Sequence, residues 1–236
     1  MITISNLSKH HGSRVLFDDV SLTINRGEKI GLIGPNGAGK TTLFSIILGQ
    51  SEPTSGTVHM QKKVRIGYLP QESHFSSGRT VIAEVTEGDA LLQSLQQEQE
   101  FLEDNGQAGT HRYSEIMHTL ETMGFFEIEY KSKEILAGLG FKQRDFDRPI
   151  AELSGGWQMR TLLAKLLILP YDVLLLDEPT NYLDLNAALW FKDFLGSFQG
   201  TFVMISHDKA FLNEVTNYTL ILEQSRLTRI QGNYEQ

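Results

Sequence analysis

A chain of 236 residues with 40% hydrophobic and 21% charged side chains, 21 Gly and 6 Pro has the composition of one large globular domain, or of one domain carrying an insertion; disordered and collagen-like chains are excluded. No apolar run approaches the roughly 20 residues of a membrane span, the opening MITISNLSKHHG does not read as a secretory signal, and the absence of cysteine removes disulfides and thiolate metal sites. The formal charge of −8 argues against a polyanion bound through the overall field. That charge is local, however: 13 acidic residues face 4 basic ones between Glu72 and Gly140, and the remainder is close to neutral.

Along the chain, alternation at Ile2 and Ile4, and again at Val20, Leu22 and Ile24, predicts half-buried antiparallel strands. Lys29 to Gly34 (KIGLIG) is continuously apolar between turn formers, as expected of a strand buried on both faces in a parallel sheet. A helix is predicted from Lys40 to Leu48, stopped by Gly49. From Val81 to Leu102 the residues Val81, Val85, Leu91, Leu92, Leu95 and Leu102 fall at helical spacing, DNGQAG (104–109) is a turn cluster, and Tyr113, Ile116, Met117, Leu120 and Met123 mark a second helix before Gly124. These two predict an acidic αα-hairpin inserted into the domain. Further helices are predicted at Ser154 to Leu169, stopped by Pro170, and Leu185 to Phe198, stopped by Gly200, with buried strands at Val173 to Asp177 and Thr201 to Ser206. Alternating strand and helix with buried strands predicts an α/β core. It forms one domain over residues 1–236, with 72–140 as a helical subdomain that includes the hairpin.

Gly34-Pro35-Asn36-Gly37-Ala38-Gly39-Lys40-Thr41 fits G-x-x-x-x-G-K-[ST] between a strand and a helix. Such a loop needs glycines because its N–H groups turn inward around phosphate oxygens. Lys40 supplies charge to the phosphates, Thr41 a hydroxyl to Mg²⁺, and Thr42 continues the helix start, whose dipole favours the anion. Val173-Leu-Leu-Leu-Asp177-Glu178 ends a strand in two carboxylates, suited to a metal ligand and to a residue that polarises water.

Leu153-Ser154-Gly155-Gly156-Trp157-Gln158 resembles the signature motif of ATP-binding-cassette (ABC) ATPases. Gln71 in YLPQE, the aspartate loop Asn181-Tyr182-Leu183-Asp184 and His207 in ISHD follow the same family order. The wording of DEPTNYLD, LSGGWQMR, SHDKAFLNEV and QGNYEQ is similar to the ABC-F group, soluble proteins with two tandem cassettes that act on the ribosome in translation. The acidic hairpin sits where that group carries its arm. The resemblance implies an α/β P-loop NTPase fold of ABC type with an N-terminal antiparallel β subdomain, a helical subdomain and an inserted arm. The rival that shares this fold is the ATP-binding subunit of a membrane transporter.

For the site, the resemblance implies that residues Gly34 to Thr42 bind ATP phosphates and that Thr41, Gln71 and Asp177 arrange Mg²⁺. It implies too that Glu178 acts as general base or water positioner, that Gln71 helps to arrange the water, and that His207 contacts the γ-phosphate and senses its loss. The resemblance also implies that Ser154, Gly155 and Gly156 complete the ATP site of a partner cassette, and it makes Asp184 the acid of the aspartate loop. Ser154 can also cap its helix. The expected partners are a second cassette, in the same polypeptide or as a homodimer, and ribosomal protein and RNA, with no direct membrane contact and a cytoplasmic location. Lys62, Lys63, Arg65, Lys142, Arg144 and Arg148 would meet RNA, and the acidic hairpin a basic ribosomal protein. An isolated cassette should hydrolyse ATP slowly. Three departures stand out: Tyr182 replaces the usual histidine, His11 stands where an aromatic ring usually stacks on adenine, and the chain ends at Gln236 where the inter-cassette linker would begin, so it reads as the first of two cassettes.

Overall fold

The computed structural model describes residues 1–72, 78–86, 90–122 and 125–232. The chain divides into two compact units, Met1–Glu72 with Pro170–Gln236, and Ser73–Leu169.

In the first unit, β1 (Ile2–His11), β2 (Arg14–Ile24) and β4 (Ser55–Met60) form an antiparallel sheet in the order β2-β1-β4. The predicted alternation sets its register, with Ile2 opposite Ile24 and Ile4 opposite Leu22. A second sheet has the order β5-β6-β7-β3-β8-β9. It is built from β3 (Lys29–Ile33), β5 (Ile66–Leu69), β6 (Val173–Asp177), β7 (Thr201–Ile205), β8 (Tyr218–Glu223) and β9 (Arg226–Gln231). All neighbours are parallel except β9, which pairs antiparallel with β8.

Why the central strands carry apolar residues on both faces is visible in the packing. One face contributes Ile30, Leu32, Val173, Leu175, Val203, Ile205, Leu220 and Leu222 to a cluster that also contains Ile2, Ile4, Leu7 and Phe17 of the antiparallel sheet. The helix α1 (Lys40–Ile47) adds Leu43, Phe44, Ile46 and Ile47 to the same cluster and so joins the two sheets. The opposite face carries Leu174, Leu176, Phe202 and Met204, each no more than 1% exposed. There α8 (Lys209–Val215) comes so close that a Cβ added to Gly31 would lie 3.5 Å from Leu212. A buried carboxylate ties β9 to the turn before β3. Burial alone would raise the Glu28 carboxyl, but hydrogen bonds from Arg229 (2.7 Å) and Asn25 (2.8 and 2.9 Å) outweigh it and hold the group below its ordinary value.

The second unit is helical among its described residues, with α2 (Val81–Thr86), α3 (Ala90–Asp104), α4 (His111–Thr122), α5 (Phe125–Gly138) and α6 (Gly155–Ile168). The hairpin is α3 with α4, closed by its own cluster of Leu95, Leu102, Ile116 and Leu120. It is braced by a two-pronged Arg112–Glu98 pair at 2.7 and 2.6 Å. The single helix expected from Val81 to Leu102 is corrected to two. Val81 and Val85 belong to α2, which packs on α5 and α6 and pairs Glu84 with Lys165 at 2.6 Å. The sequence Glu87-Gly88-Asp89 between α2 and α3 holds two poor helix formers. The unit also runs past Gly140 to Leu169 and so takes in the signature helix α6. The side chains of Leu91 and Leu92, and Met123, Gly124 and residues 233–236, lie outside the described residues. No described helix is long and apolar enough to cross a membrane.

Candidate functional site

The strand order β6-β7-β3 sets the carboxyl ends of three parallel strands side by side, with Asp177 level with Ile205, and Ile205 level with Leu32. Whatever follows each strand must converge at this edge, where open α/β sheets bind ligands. After β3 comes the glycine loop, after β6 the acidic pair, after β7 Ser206 and His207.

The loop takes its shape from two glycines. A Cβ on Gly34 would lie 2.2 Å from the Leu222 carbonyl oxygen, so any side chain there would collide with backbone. Gly39 holds φ at +104° as the N-cap of α1, with Leu16 and Phe17 of β2 pressed against it. The turn closes through the Ala38 N–H donating to Pro35 O (3.1 Å), and Arg14 from β2 clips it by donating to Gly37 O (2.9 Å). Lys40 is 9% exposed, and its ammonium donates to Gly34 O (2.8 Å) and Pro35 O (3.2 Å), which places its charge inside the loop.

Thr41 donates its hydroxyl to Asp177 Oδ2 at 2.7 Å. Burial pushes the Asp177 carboxyl above its ordinary value of 3.8, although Thr41 and Lys40 oppose this. Asp177→Asn keeps an acceptor for Thr41 and removes the buried charge, so it should stabilise the fold by roughly 0.5–2 kcal/mol at pH 7. A carboxyl whose folded value lies above its unfolded one penalises folding only as it ionises. The gain should therefore be full above the raised folded value and vanish below pH 3.8. Urea unfolding at pH 7 and at acid pH checks this, and equal stabilisation at both would refute the assigned cause.

Glu178 adopts φ +51°, rare for a side-chain-bearing residue and a mark of a constrained functional turn. Its N–H donates to Ile205 O (2.9 Å), and its Oε2 accepts from the His207 N–H (3.2 Å). Oε1 is buried, receives no hydrogen bond among the described residues, and lies 3.5 Å from His207 Nε2. Gln71 follows β5, and its main-chain carbonyl accepts from the Tyr182 hydroxyl (3.0 Å). Asp184 caps α7 (Leu185–Ser197) by accepting from the Ala187 N–H (3.0 Å).

A cavity of about 510 Å³ unites Asn36, Gly37, Gly39, Lys40, Thr41, Thr42, Gln71, Asp177, Glu178 and His207. Asn181 of the aspartate loop and Ile205 at the end of β7 also line it, as does Leu16, which carried no sequence signal. His11 is not among the lining residues; it is exposed at the end of β1, opposite Arg14 across the hairpin. Thr41 Oγ1 and Asp177 Oδ2 are adjacent hard oxygen donors, and Gln71 lines the same cavity. No cluster of three or more His, Cys, Asp or Glu is poised for a metal among the described residues. One carboxylate and one hydroxyl suit Mg²⁺, which takes the rest of its shell from phosphate and water.

Ser154, Gly155 and Gly156 lie in the second unit, at the start of α6. Ser154 occupies the N-cap, but the expected side-chain cap is not formed. Its carbonyl accepts from the Gln158 N–H (3.0 Å), while the Gln158 side chain turns back to Ile150 O and Leu153 O, each at 3.2 Å. A Cβ on Gly155 would meet nothing within 4 Å, so packing does not demand a glycine there.

Residues 17–181 match the ABC transporter family. The chain is 39% identical over 246 residues to the uncharacterized ABC transporter ATP-binding protein YfmM of Bacillus subtilis, covering 100% of this chain and 47% of that one. It is 36% identical to ABC transporter F family member 2 of Arabidopsis thaliana, covering 100% of this chain and 36% of that one. The chain thus spans less than half the length of these relatives. Among solved structures, the dimeric post-hydrolysis state of the ATP-binding cassette MJ0796 bound to ADP and Pi superposes with TM-score 0.69 at 20% identity, over 98% of each chain. The structure of an ATP-binding subunit of an ABC transporter reaches 0.74 at 18% identity, over 98% of this chain and 90% of that one. At such identities the likeness is one of fold, an ABC-type α/β cassette.

Proposed function

Because the chain belongs to the ABC transporter family, and is an ATP-binding cassette, we propose that it hydrolyses ATP as one cassette of an ABC-F protein that acts on the ribosome during translation. The observation that carries the chemistry is the Glu178 carboxylate, one oxygen held by the His207 N–H and the other buried without a hydrogen-bond partner among the described residues, beside Asp177 and Lys40 in one cavity.

The loop N–H groups and Lys40 bind the β and γ phosphates, and Thr41, Asp177 and Gln71 would hold Mg²⁺. That ion, when bound, neutralises phosphate charge. Glu178 Oε1 orients a water and accepts its proton as the water oxygen bonds to the γ-phosphorus and the bond to the ADP oxygen breaks. His207, 3.5 Å from that oxygen, keeps the carboxylate aligned and responds to the γ-phosphate. Ser154 to Gly156 serve the nucleotide of a second cassette, in the same polypeptide or in a second copy of the chain. The single cassette is therefore slow by itself, and its rate rises more steeply than its concentration.

The ribosomal role is supported by the similarity to F family members and by the acidic α3–α4 hairpin at the arm position. Glu100, Asp104 and Glu121 are exposed on this hairpin and would meet a basic partner there. The protein carrying Glu178→Gln, incubated with ATP, should co-sediment with ribosomes and be released when ADP replaces ATP. Recovery with membrane permeases instead of ribosomes would reverse the reading in favour of a transporter subunit.

A further inference from the structure

The 3-10 turn Pro179–Tyr182 leaves Glu178 and ends at the residue where this chain departs from the usual family wording. Its backbone is fixed at both sides. The Asn181 N–H donates to Glu178 O (3.3 Å), the Leu183 N–H to Thr180 O (3.1 Å), and Asp184 then caps α7. From this fixed base the Tyr182 ring carries its hydroxyl to the main-chain carbonyl of Gln71, 3.0 Å away and 111 residues distant in sequence. Gln71 stands in the opposite situation. It follows β5, an edge strand of only four residues, and is itself exposed. Because the bond uses the carbonyl of Gln71, the side-chain amide remains available to the cavity that it lines with Asp177 and Glu178.

We propose that Tyr182 is a positioning residue for ATP hydrolysis: its hydroxyl anchors the Gln71 backbone to the turn that carries Glu178, and so fixes the Gln71 amide relative to the carboxylate. The inference rests on the ATPase reading above. A phenol suits this place because its donor sits at the far end of a rigid ring, with little rotational freedom to lose. A histidine has its ring nitrogens nearer the backbone, so the usual family residue would not reach the same carbonyl from the same base. Tyr182 touches neither phosphate nor water in this scheme and acts only through Gln71.

The test uses the 236-residue chain, with steady-state ATPase rates, KM for ATP and thermal midpoint measured for five proteins: the parent, Tyr182→Phe, Gln71→Ala, their double variant and Glu178→Gln. Tyr182→Phe should lower kcat roughly three- to tenfold, the worth of one hydrogen bond, and leave KM and the midpoint unchanged. Gln71→Ala keeps the carbonyl and removes the amide, so the double variant should be no slower than Gln71→Ala alone. Multiplying losses, or a Tyr182→Phe effect seen only in KM or the midpoint, would show a role independent of Gln71 and overturn the proposal. Turnover abolished by Glu178→Gln but untouched by Tyr182→Phe would overturn the positioning role alone. Turnover insensitive to Glu178→Gln would overturn the ATPase reading and this inference with it.

Discussion

Glu178→Gln should lower ATP turnover at least about 10²-fold, the worth of a positioned general base, while nucleotide affinity stays within about twofold. The two substituents are nearly isosteric, and the amide oxygen can accept from the His207 N–H as Oε2 now does at 3.2 Å. The turn geometry should therefore survive, including the N–H of residue 178 donating to Ile205 O at 2.9 Å. What is lost is the capacity of the buried Oε1 to take a proton. Affinity is set elsewhere, by the loop N–H groups and by Lys40, whose ammonium is seated against Gly34 O and Pro35 O. Phosphate release in single-turnover experiments and titration with a fluorescent ATP analogue separate the two quantities. Parent-like phosphate release would move the base to another residue, and a parallel collapse of affinity would mean that the carboxylate shapes the loop.

The parts of the site that sequence made legible are those in which the chemistry is contiguous with the element that presents it. KIGLIG runs straight into the glycine loop, VLLLD into Glu178, and TFVMI into Ser206 and His207, so each buried strand announces its own functional end. Four strands escaped for physical reasons. β4 packs only Val58 and Met60 partly against the core, too few apolar positions to show a period, and pairs along its main chain with β1. β5 has four residues, too few to show a period, and β8 with β9 form a hairpin at the sheet edge with exposed turn residues Gln224 and Ser225. The hairpin was placed correctly, but apolar residues at helical spacing continue across Gly88, so the pattern alone could not divide α2 from α3. Ser154 was the right residue for an N-cap, yet residue type does not fix a rotamer, and its hydroxyl makes no cap bond. Arg14, Leu16 and the Tyr182–Gln71 bond depend on strands and loops far apart in sequence, where only the folded sheet order brings them to the cavity.

Phe44→Ala should destabilise the first unit by about 3–5 kcal/mol, the range for truncating a fully buried phenylalanine. Phe44 is 0% exposed and belongs to a cluster that includes residues of both sheets. Its ring also meets Tyr68 of β5 edge-on, with centroids 6.3 Å apart, so the truncation removes an aromatic contact besides opening a cavity. The antiparallel sheet and the parallel sheet meet directly, through the Asp18 N–H donating to Ser225 O (2.9 Å) and Arg229 donating to Thr23 O, and the apolar face of α1 packs against residues of both. Loosening that face should be felt at the site, because Lys40 and Thr41 are the first residues of the same helix, and the 2.7 Å bond from Thr41 to Asp177 spans from α1 to β6. ATP affinity should therefore fall together with stability in this variant, in contrast to Glu178→Gln, where only turnover changes. Urea unfolding and nucleotide titration on one preparation test both parts. A loss under about 1 kcal/mol would mean that the direct contacts between the sheets, rather than α1, carry most of the joint, and a full loss of stability with intact affinity would mean that the glycine loop, held by Gly34 against Leu222 and by Arg14 on Gly37 O, keeps its shape without the helix packing behind it.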